Sequence, residues 1–290
     1  MADGRLRCAA CGQRTSPTAG TILDRTRTPL TVWFTACWLF ASQKDGISAL
    51  SLKRQLEIGS YQTAWAMLAR LRSVLVRPGR ERLGGEVEVD ESYFGGEEPG
   101  LTGGRAKGKK VLVGIAVEQT EPTGFGRCRM APLADASADS LRAFLTDNVE
   151  PGARVITDGW GAYPRATAGL YAHEPVPGAA GPDASKLLPG VHKVSSLAKR
   201  WLLGTHQGSV DAAHLPGYLN EFVFRFNRRR SRSRGLIFYR VLELATTHDP
   251  VRYRDLIANP RTGTAARQPP GTRGRPPSME RPPAGRPWRD

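Results

Sequence analysis

The chain has 290 residues, 40% of them hydrophobic and 24% charged, enough for one catalytic domain with additions and inconsistent with a disordered chain. Its 42 basic against 27 acidic residues leave a net charge of +15, which points to a polyanionic partner, most simply nucleic acid. The longest apolar run, around Val32 to Ala41, falls short of the roughly 18–20 residues of a membrane span; the opening lacks an apolar signal stretch, and four cysteines are too few for a disulfide framework, so a cytoplasmic protein is expected.

In chain order, Cys8-Ala-Ala-Cys11-Gly opens as a CxxC knuckle. Residues 30–42 predict a helix carrying Trp33, Phe34, Cys37, Trp38 and Phe40. A second helix is expected over Ser48–Glu57, a turn at Ile58-Gly59-Ser60, and a third helix from Tyr61 to about Val76 with Ser60 as its N-cap. Ala64, Leu68, Leu71 and Leu75 recur there at spacings of 4, 3 and 4, as one apolar helix face requires. Two helices joined by a tight Gly-containing turn form a candidate helix-turn-helix, with Tyr61, Gln62 and Thr63 at the helix end that meets bases; an ordinary helical hairpin shares the pattern. After Arg77-Pro78-Gly79, strands are expected at Glu86–Phe94, Lys110–Glu118 and Gly126–Pro132, then a helix over Asp139–Val149 capped by Ser137. Strands at Arg154–Thr157 and Leu170–Pro175 follow, then a Gly/Pro-rich loop at 178–190 and helices over Val191–Leu203 and Leu215–Asn227. This order suits an α/β fold with a mixed central sheet. Residues 259–290, with 8 Pro and 4 Gly, are expected to be disordered.

The basic excess is local. Residues 192–240 hold ten basic and two acidic residues, whereas residues 1–191 hold 23 and 20. A solvated face is one reading of such a run. The interleaving of Arg225, Arg228, Arg229 and Arg230 with Phe224, Phe226 and Asn227 instead fits a folded element that tracks DNA phosphates.

Glu86-Val-Glu-Val-Asp90-Glu is the most informative stretch. Strand alternation puts Glu86, Glu88 and Asp90 on one face and Val87 and Val89 on the other, where a solvated acidic face is the plain alternative. Asp158 ends the apolar Val155-Ile156-Thr157 just before a glycine turn, and the carboxyl ends of sheet strands are where α/β folds place ligands. His192 and Lys199 are seven residues apart, about 20° short of two helical turns, so they share a helix face. Two carboxylates with an imidazole make a mostly oxygen site suited to Mg²⁺ or Mn²⁺.

The stretches Val87-Glu-Val-Asp-Glu-Ser-Tyr-Phe-Gly-Gly96, Gly104-Arg-Ala-Lys-Gly-Lys-Lys110, Ile156-Thr-Asp-Gly-Trp-Gly-Ala-Tyr163, the run from Val191 to Gly208 and that from Tyr218 to Arg229, in this order, resemble the ISXO2-like family of insertion-sequence transposases. The resemblance extends over about residues 8–245 and implies an RNase H-like catalytic domain at 83–258. A helix-turn-helix region at 21–82, a partial zinc-ribbon remnant at 1–20 and the tail at 259–290 complete the expected organisation. It implies a DDE-type enzyme that cuts DNA at transposon ends and joins the 3′-hydroxyl to target DNA, with a chain that only binds DNA as the alternative. By position, Asp90, Asp158 and His192 are the implied ligands of two Mg²⁺ or Mn²⁺ ions, and Lys199 the implied DNA-positioning base. Arg200 and the arginines named above extend that contact. Glu221 is a lower-ranked third acid. The implied partners are terminal inverted repeats, target DNA and further copies of the chain, in a prokaryotic, nucleoid-associated setting. Family ribbons carry two CxxC knuckles, and this sequence has Cys8 and Cys11 alone; with Cys37 and Cys128 expected in core elements, a four-ligand zinc site is not expected.

Overall fold

The computed structural model describes residues 5–77, 79–95, 110–120, 124–176, 184–207 and 210–257. The expected tail at 259–290 and the Gly104–Lys109 part of the second matching stretch lie outside the described residues, as does residue 96 at the end of the first. Two short strands, β1 (Leu6–Arg7) and β2 (Arg14–Thr15), pair antiparallel around the exposed Cys8 and Cys11. Helices α1 (Leu30–Ser42), α2 (Ala49–Gln55) and α3 (Tyr61–Ser73) follow, close to the expected bounds. Two details differ. The turn after α2 takes its left-handed residue at Glu57, φ 51°, rather than at Gly59, and Ile58 N–H closes back on Lys53 O at 3.0 Å. Ser60 occupies the N-cap position of α3, but its hydroxyl donates to Gln62 Oε1 at 2.7 Å instead of accepting a helix amide.

The sheet is built from β3 (Glu86–Phe94), β4 (Val111–Gln119), β5 (Phe125–Pro132), β6 (Arg154–Thr157) and β7 (Ala172–Pro175), in the order β5-β4-β3-β6-β7. Pairing is antiparallel from β5 to β3 and parallel from β3 to β7, a mixed sheet compatible with an RNase H-like fold. Alternation sorts its side chains. Val87, Val89, Ala116 and Val155 face one apolar layer with Leu141, Phe144 and Leu145 of α4 (Ala138–Asn148) and Tyr163 of α5 (Tyr163–Thr167). Val113, Ile115, Val117, Cys128 and Met130 face a second layer formed by α7 (Pro189–His206), which follows the short α6 (Ala184–Leu187), and α8 (Leu215–Asn227). As expected, Ser137 caps α4, its hydroxyl accepting from Ser140 N–H at 3.3 Å. At the open edge of the sheet, the Asn227 amide pairs with both backbone groups of Cys128, at 2.7 and 3.1 Å, and so occupies the ladder positions that a further strand would seek.

Sequence reading placed no helix beyond Asn227. The structure adds α9 (Arg234–Thr247) and α10 (Tyr253–Ile257). Ser233 caps α9, and Ile237, Val241, Leu244 and Ala245 join the α1–α3 core beside Trp33, Phe40 and Leu68. The N-terminal helices therefore complete their core with a helix that follows the sheet in the chain. A buried ionic triad fastens the same junction. Glu221 of α8, fully buried, accepts from Arg72 Nε of α3 at 2.8 Å and from Arg225 Nε at 2.9 Å. Burial raises the pKa of Glu221, but Arg72 and Arg225 outweigh it and hold the carboxyl below its ordinary range. Among the described residues no helix is long and apolar enough to cross a membrane.

Two substitutions test this junction by thermal or denaturant unfolding. Arg72→Met leaves a buried carboxylate half-paired and should cost about 3–5 kcal/mol. Gly46 has φ +76°, and a Cβ there would lie 3.2 Å from both Glu221 Oε1 and Trp201 Nε1, so Gly46→Ala should destabilise by about 1–2 kcal/mol or more.

Candidate active site

The site forms where β3 meets α7. Glu88 points into the α7 side of the sheet and is 4% exposed, so the acidic face of β3 is covered rather than solvated. Its Oε2 accepts from Val191 N–H at 2.9 Å, in the first turn of α7. Burial raises the Glu88 pKa and the amides of Val191 and Gly190 lower it, leaving it raised. Gly190 makes this approach feasible, since a Cβ there would stand 2.8 Å from both Glu88 Oε2 and Gln119 Nε2. Pro189 occupies the first helical position, where its missing N–H costs nothing.

With α7 held along β3, the residues two apart on that face meet the helix in succession. Asp90 Oδ2 is 4.0 Å from His192 Nε2, too far for a hydrogen bond. Lys199 Nζ donates to Ser92 Oγ at 2.7 Å and lies 5.4 Å from the Phe94 ring centroid. On the neighbouring parallel strand, Glu88 pairs with Ile156, so Asp90 and Asp158 both stand two residues beyond the last pair, Asp90 in the middle of β3 and Asp158 just past the carboxyl end of β6. Asp158 is fixed by a side-chain turn in which its Oδ1 accepts from Trp160 N–H at 2.9 Å, with Gly159 left-handed at φ +80°.

The electrostatics are those of crowded negative charge. Burial, Glu91 and Asp158 push the Asp90 pKa up to about 7, against the opposing Glu91 N–H and Lys199. Burial and Lys199 lower the His192 pKa, favouring the neutral imidazole that can ligate a metal. His192 Nε2 is buried and has no hydrogen-bond partner among the described residues. Two carboxylates and an orphaned imidazole nitrogen fit a divalent ion, although among the described residues no three such groups stand as a ready-made cage. Glu221 lies outside this cluster, with both oxygens bound by arginines.

Sequence reasoning missed Glu88 as the group that anchors α7, and Ser92 as the partner of Lys199; their period-2 spacing from Asp90 was the available signal. It also missed Tyr163, which is fully buried and donates to Glu91 Oε2 at 2.8 Å behind the site.

The basic residues divide. Arg225 pairs with Glu221 and reaches the carbonyls of Gln43 and Phe40. Arg228 stacks on the Phe224 ring at 3.8 Å, and Arg229 stacks on Phe226 at 3.9 Å while binding the carbonyls of Phe125 and Gly126. These guanidiniums thus have structural partners within the fold, although Arg229 is exposed, as are Arg200 and Arg230. Tyr61 and Gln62 are exposed and Thr63 half-buried at the start of α3, where Gln62 and Thr63 border a cleft of about 350 Å³ with Arg25 and Arg27.

The raised Asp90 pKa gives a signed test in metal-free protein. The folded chain keeps this proton up to about pH 7, whereas the unfolded chain releases it near 3.8. The contribution of Asp90 to stability therefore falls as pH rises from about 4 through 7. In chelator, Asp90→Asn should raise the melting temperature at pH 8 and do so much less at pH 5, as read by a thermal melt at each pH; an equal shift at both would contradict the assignment.

No curated protein matches the chain. A family model described as the ISXO2-like transposase domain matches residues 82–227, just over half of the sequence. The match takes in β3 with Asp90, the β6 end with Asp158, α7 with His192 and Lys199, and the whole of α8. The chain therefore belongs to the IS1595 family of ISXO2-like transposases.

Proposed function

We propose that this chain cuts DNA at the ends of its mobile element and transfers the freed 3′-hydroxyl to target DNA, as a DDE-type enzyme dependent on Mg²⁺ or Mn²⁺. The observation that carries the reading is the juxtaposition of Asp90 with the unpartnered His192 Nε2 at 4.0 Å, beside Asp158 at the neighbouring strand end. Asp90, Asp158 and His192 would hold the metal. When bound, divalent ions supply Lewis-acid stabilisation of the attacking and leaving oxygens of a phosphodiester. The two aspartates concentrate negative charge where the ions sit, and the neutral imidazole adds a ligand without adding charge. Lys199 stands two residues along the same face of β3, where its ammonium can exchange Ser92 for a phosphate oxygen and orient the scissile strand. Burial lowers its pKa, Lys110 adds to this, and Asp90 opposes both.

On this reading α2 and α3, within the region 21–82, form a helix-turn-helix. Tyr61, Gln62 and Thr63 read bases while Arg200 and Arg230 hold the backbone. The exposed helix start and the basic cleft beside it support that assignment. Residues 83–258 form the catalytic domain, and Cys8 and Cys11 mark the remnant of a ribbon within 1–20.

The test is cleavage of a labelled duplex carrying the element's end. Asp90→Asn and Asp158→Asn should each lower cleavage by more than the about 10²–10³-fold cost of one lost electrostatic donor. End binding, followed by mobility shift, should stay near wild type. Near wild-type cleavage by either variant would remove it from the site. Wild-type protein that binds ends without cutting in Mg²⁺ or Mn²⁺ would favour a DNA-binding protein without catalysis.

A further inference from the structure

Away from the aspartates, a cavity of about 290 Å³ opens where the helical core meets the sheet. Its walls come from the segment after α3, from β5, from α8 and from α9. Six arginines line it, Arg77, Arg80, Arg127, Arg129, Arg228 and Arg240, against one acid, Glu81. Three of them have carboxylate partners: Arg77 pairs with Glu81, Arg127 with Glu118, and Arg240 with Glu243.

The other three are not ion-paired among the described residues. Arg80 donates to the Asn148 amide oxygen at 3.0 Å. Arg129 donates to the carbonyls of Cys128 and Glu81 at 2.9 and 2.7 Å. Arg228 donates to Phe224 O at 3.3 Å and stacks on that ring. Arg129 is only 5% exposed, and its Nε is buried with no partner among the described residues. Burial lowers the pKa of all three, that of Arg129 to about 10, with Arg80 and Arg127 adding to the effect. Arg240 and Arg77 act on Arg228 in the same direction. The opposing groups are Asp147 and Cys128 for Arg80, and Cys128 and Glu118 for Arg129.

A guanidinium held out of water with carbonyl partners alone still carries its full charge, and several together repel one another. Such a cluster is stabilised by an anion with several acceptor oxygens, and the planar donor forks of arginine match tetrahedral oxyanions. We propose that this cavity is a phosphate-binding site, held by Arg80, Arg129 and Arg228 and separate from the metal site. A phosphate carries up to two charges and enough acceptors for three forks, which a single carboxylate does not. DNA backbone and free inorganic phosphate both present this group. The proposal does not depend on the catalytic reading, because its walls contain neither Asp90, Asp158 nor His192.

The test uses the full chain without DNA. Thermal melts in inorganic phosphate are compared with melts in chloride at matched ionic strength. Wild type should gain about 2–4 °C or more in phosphate, the shift expected of about 1 kcal/mol of linked binding in a domain of this size. Arg80→Gln and Arg129→Gln should each lose most of that gain. If Arg129→Gln fails to fold for want of its two carbonyl contacts, Arg80→Gln, which gives up one contact to Asn148, carries the comparison alone. No gain beyond chloride in wild type, or a full gain in Arg80→Gln, overturns the proposal. A second arm identifies the source. If the site takes a backbone phosphate, Arg80→Gln should flatten the slope of log K against log salt on duplex DNA by about 0.9. If wild type gains in phosphate and the slope is unchanged, the site takes free phosphate. Neither arm measures cleavage, so this site and the catalytic reading fail separately.

Discussion

The placement of one helix against one strand governs the candidate site. A carboxylate at Glu88, directed inward by strand alternation, must find donors once buried. The first turn of α7 has amides that its own helix leaves unused, and Val191 N–H provides one. Because Gly190 carries no side chain, the helix end comes close enough to reach the carboxylate. With that end pinned, the helical repeat does the rest. His192 arrives over Asp90 and Lys199 over Ser92, and the apolar faces of α7 and β4 close beneath them. A side chain outside the proposed ligand set thus positions His192 and Lys199.

The site is built against local stability. Asp90, Glu91 and Asp158 crowd negative charge into a half-buried position, and His192 leaves a buried ring nitrogen unsatisfied. The surrounding structure offsets this strain with apolar packing on both sheet faces, where Val87, Val89, Ile115 and Val117 are almost completely buried. Tyr163 limits the disorder that repulsion would bring by holding Glu91 from behind.

Much of this was legible in the sequence, and the parts that were not share a cause. Alternation located β3, and the apolar spacing of Ala64, Leu68 and Leu71 located α3, because side-chain period reports backbone geometry directly. The seven-residue interval between His192 and Lys199 likewise survives as a shared helix face. What the residues alone did not give was the partner of each charge. For Glu88 a solvated acidic face was the plain alternative, and its burial against amides removes that alternative. Arg225, Arg228 and Arg229, read as a phosphate track, also direct planar faces or donors to Glu221, Phe224, Phe226 and nearby carbonyls. The same basic run drew attention from α9, whose Ile237, Val241 and Leu244 have ordinary helical spacing. Sequence shows that a charge is present; only the fold shows what pairs with it.

In the triad of Arg72, Glu221 and Arg225, the Arg72–Glu221 pair joins residues 149 positions apart in a place that water does not reach. Its consequence is evolutionary. The border between the N-terminal helices and the sheet-bearing region runs through a fully buried charge. A recombinant that took residues up to the sheet from one relative and the remainder from another would inherit Glu221 without assurance of Arg72. Helix α9 would meanwhile be asked to fit a core from the wrong parent. Viable hybrids must carry the three ionic residues and the α1–α9 contact as a set, which makes the two halves heritable as one unit despite the loop that separates them in the chain.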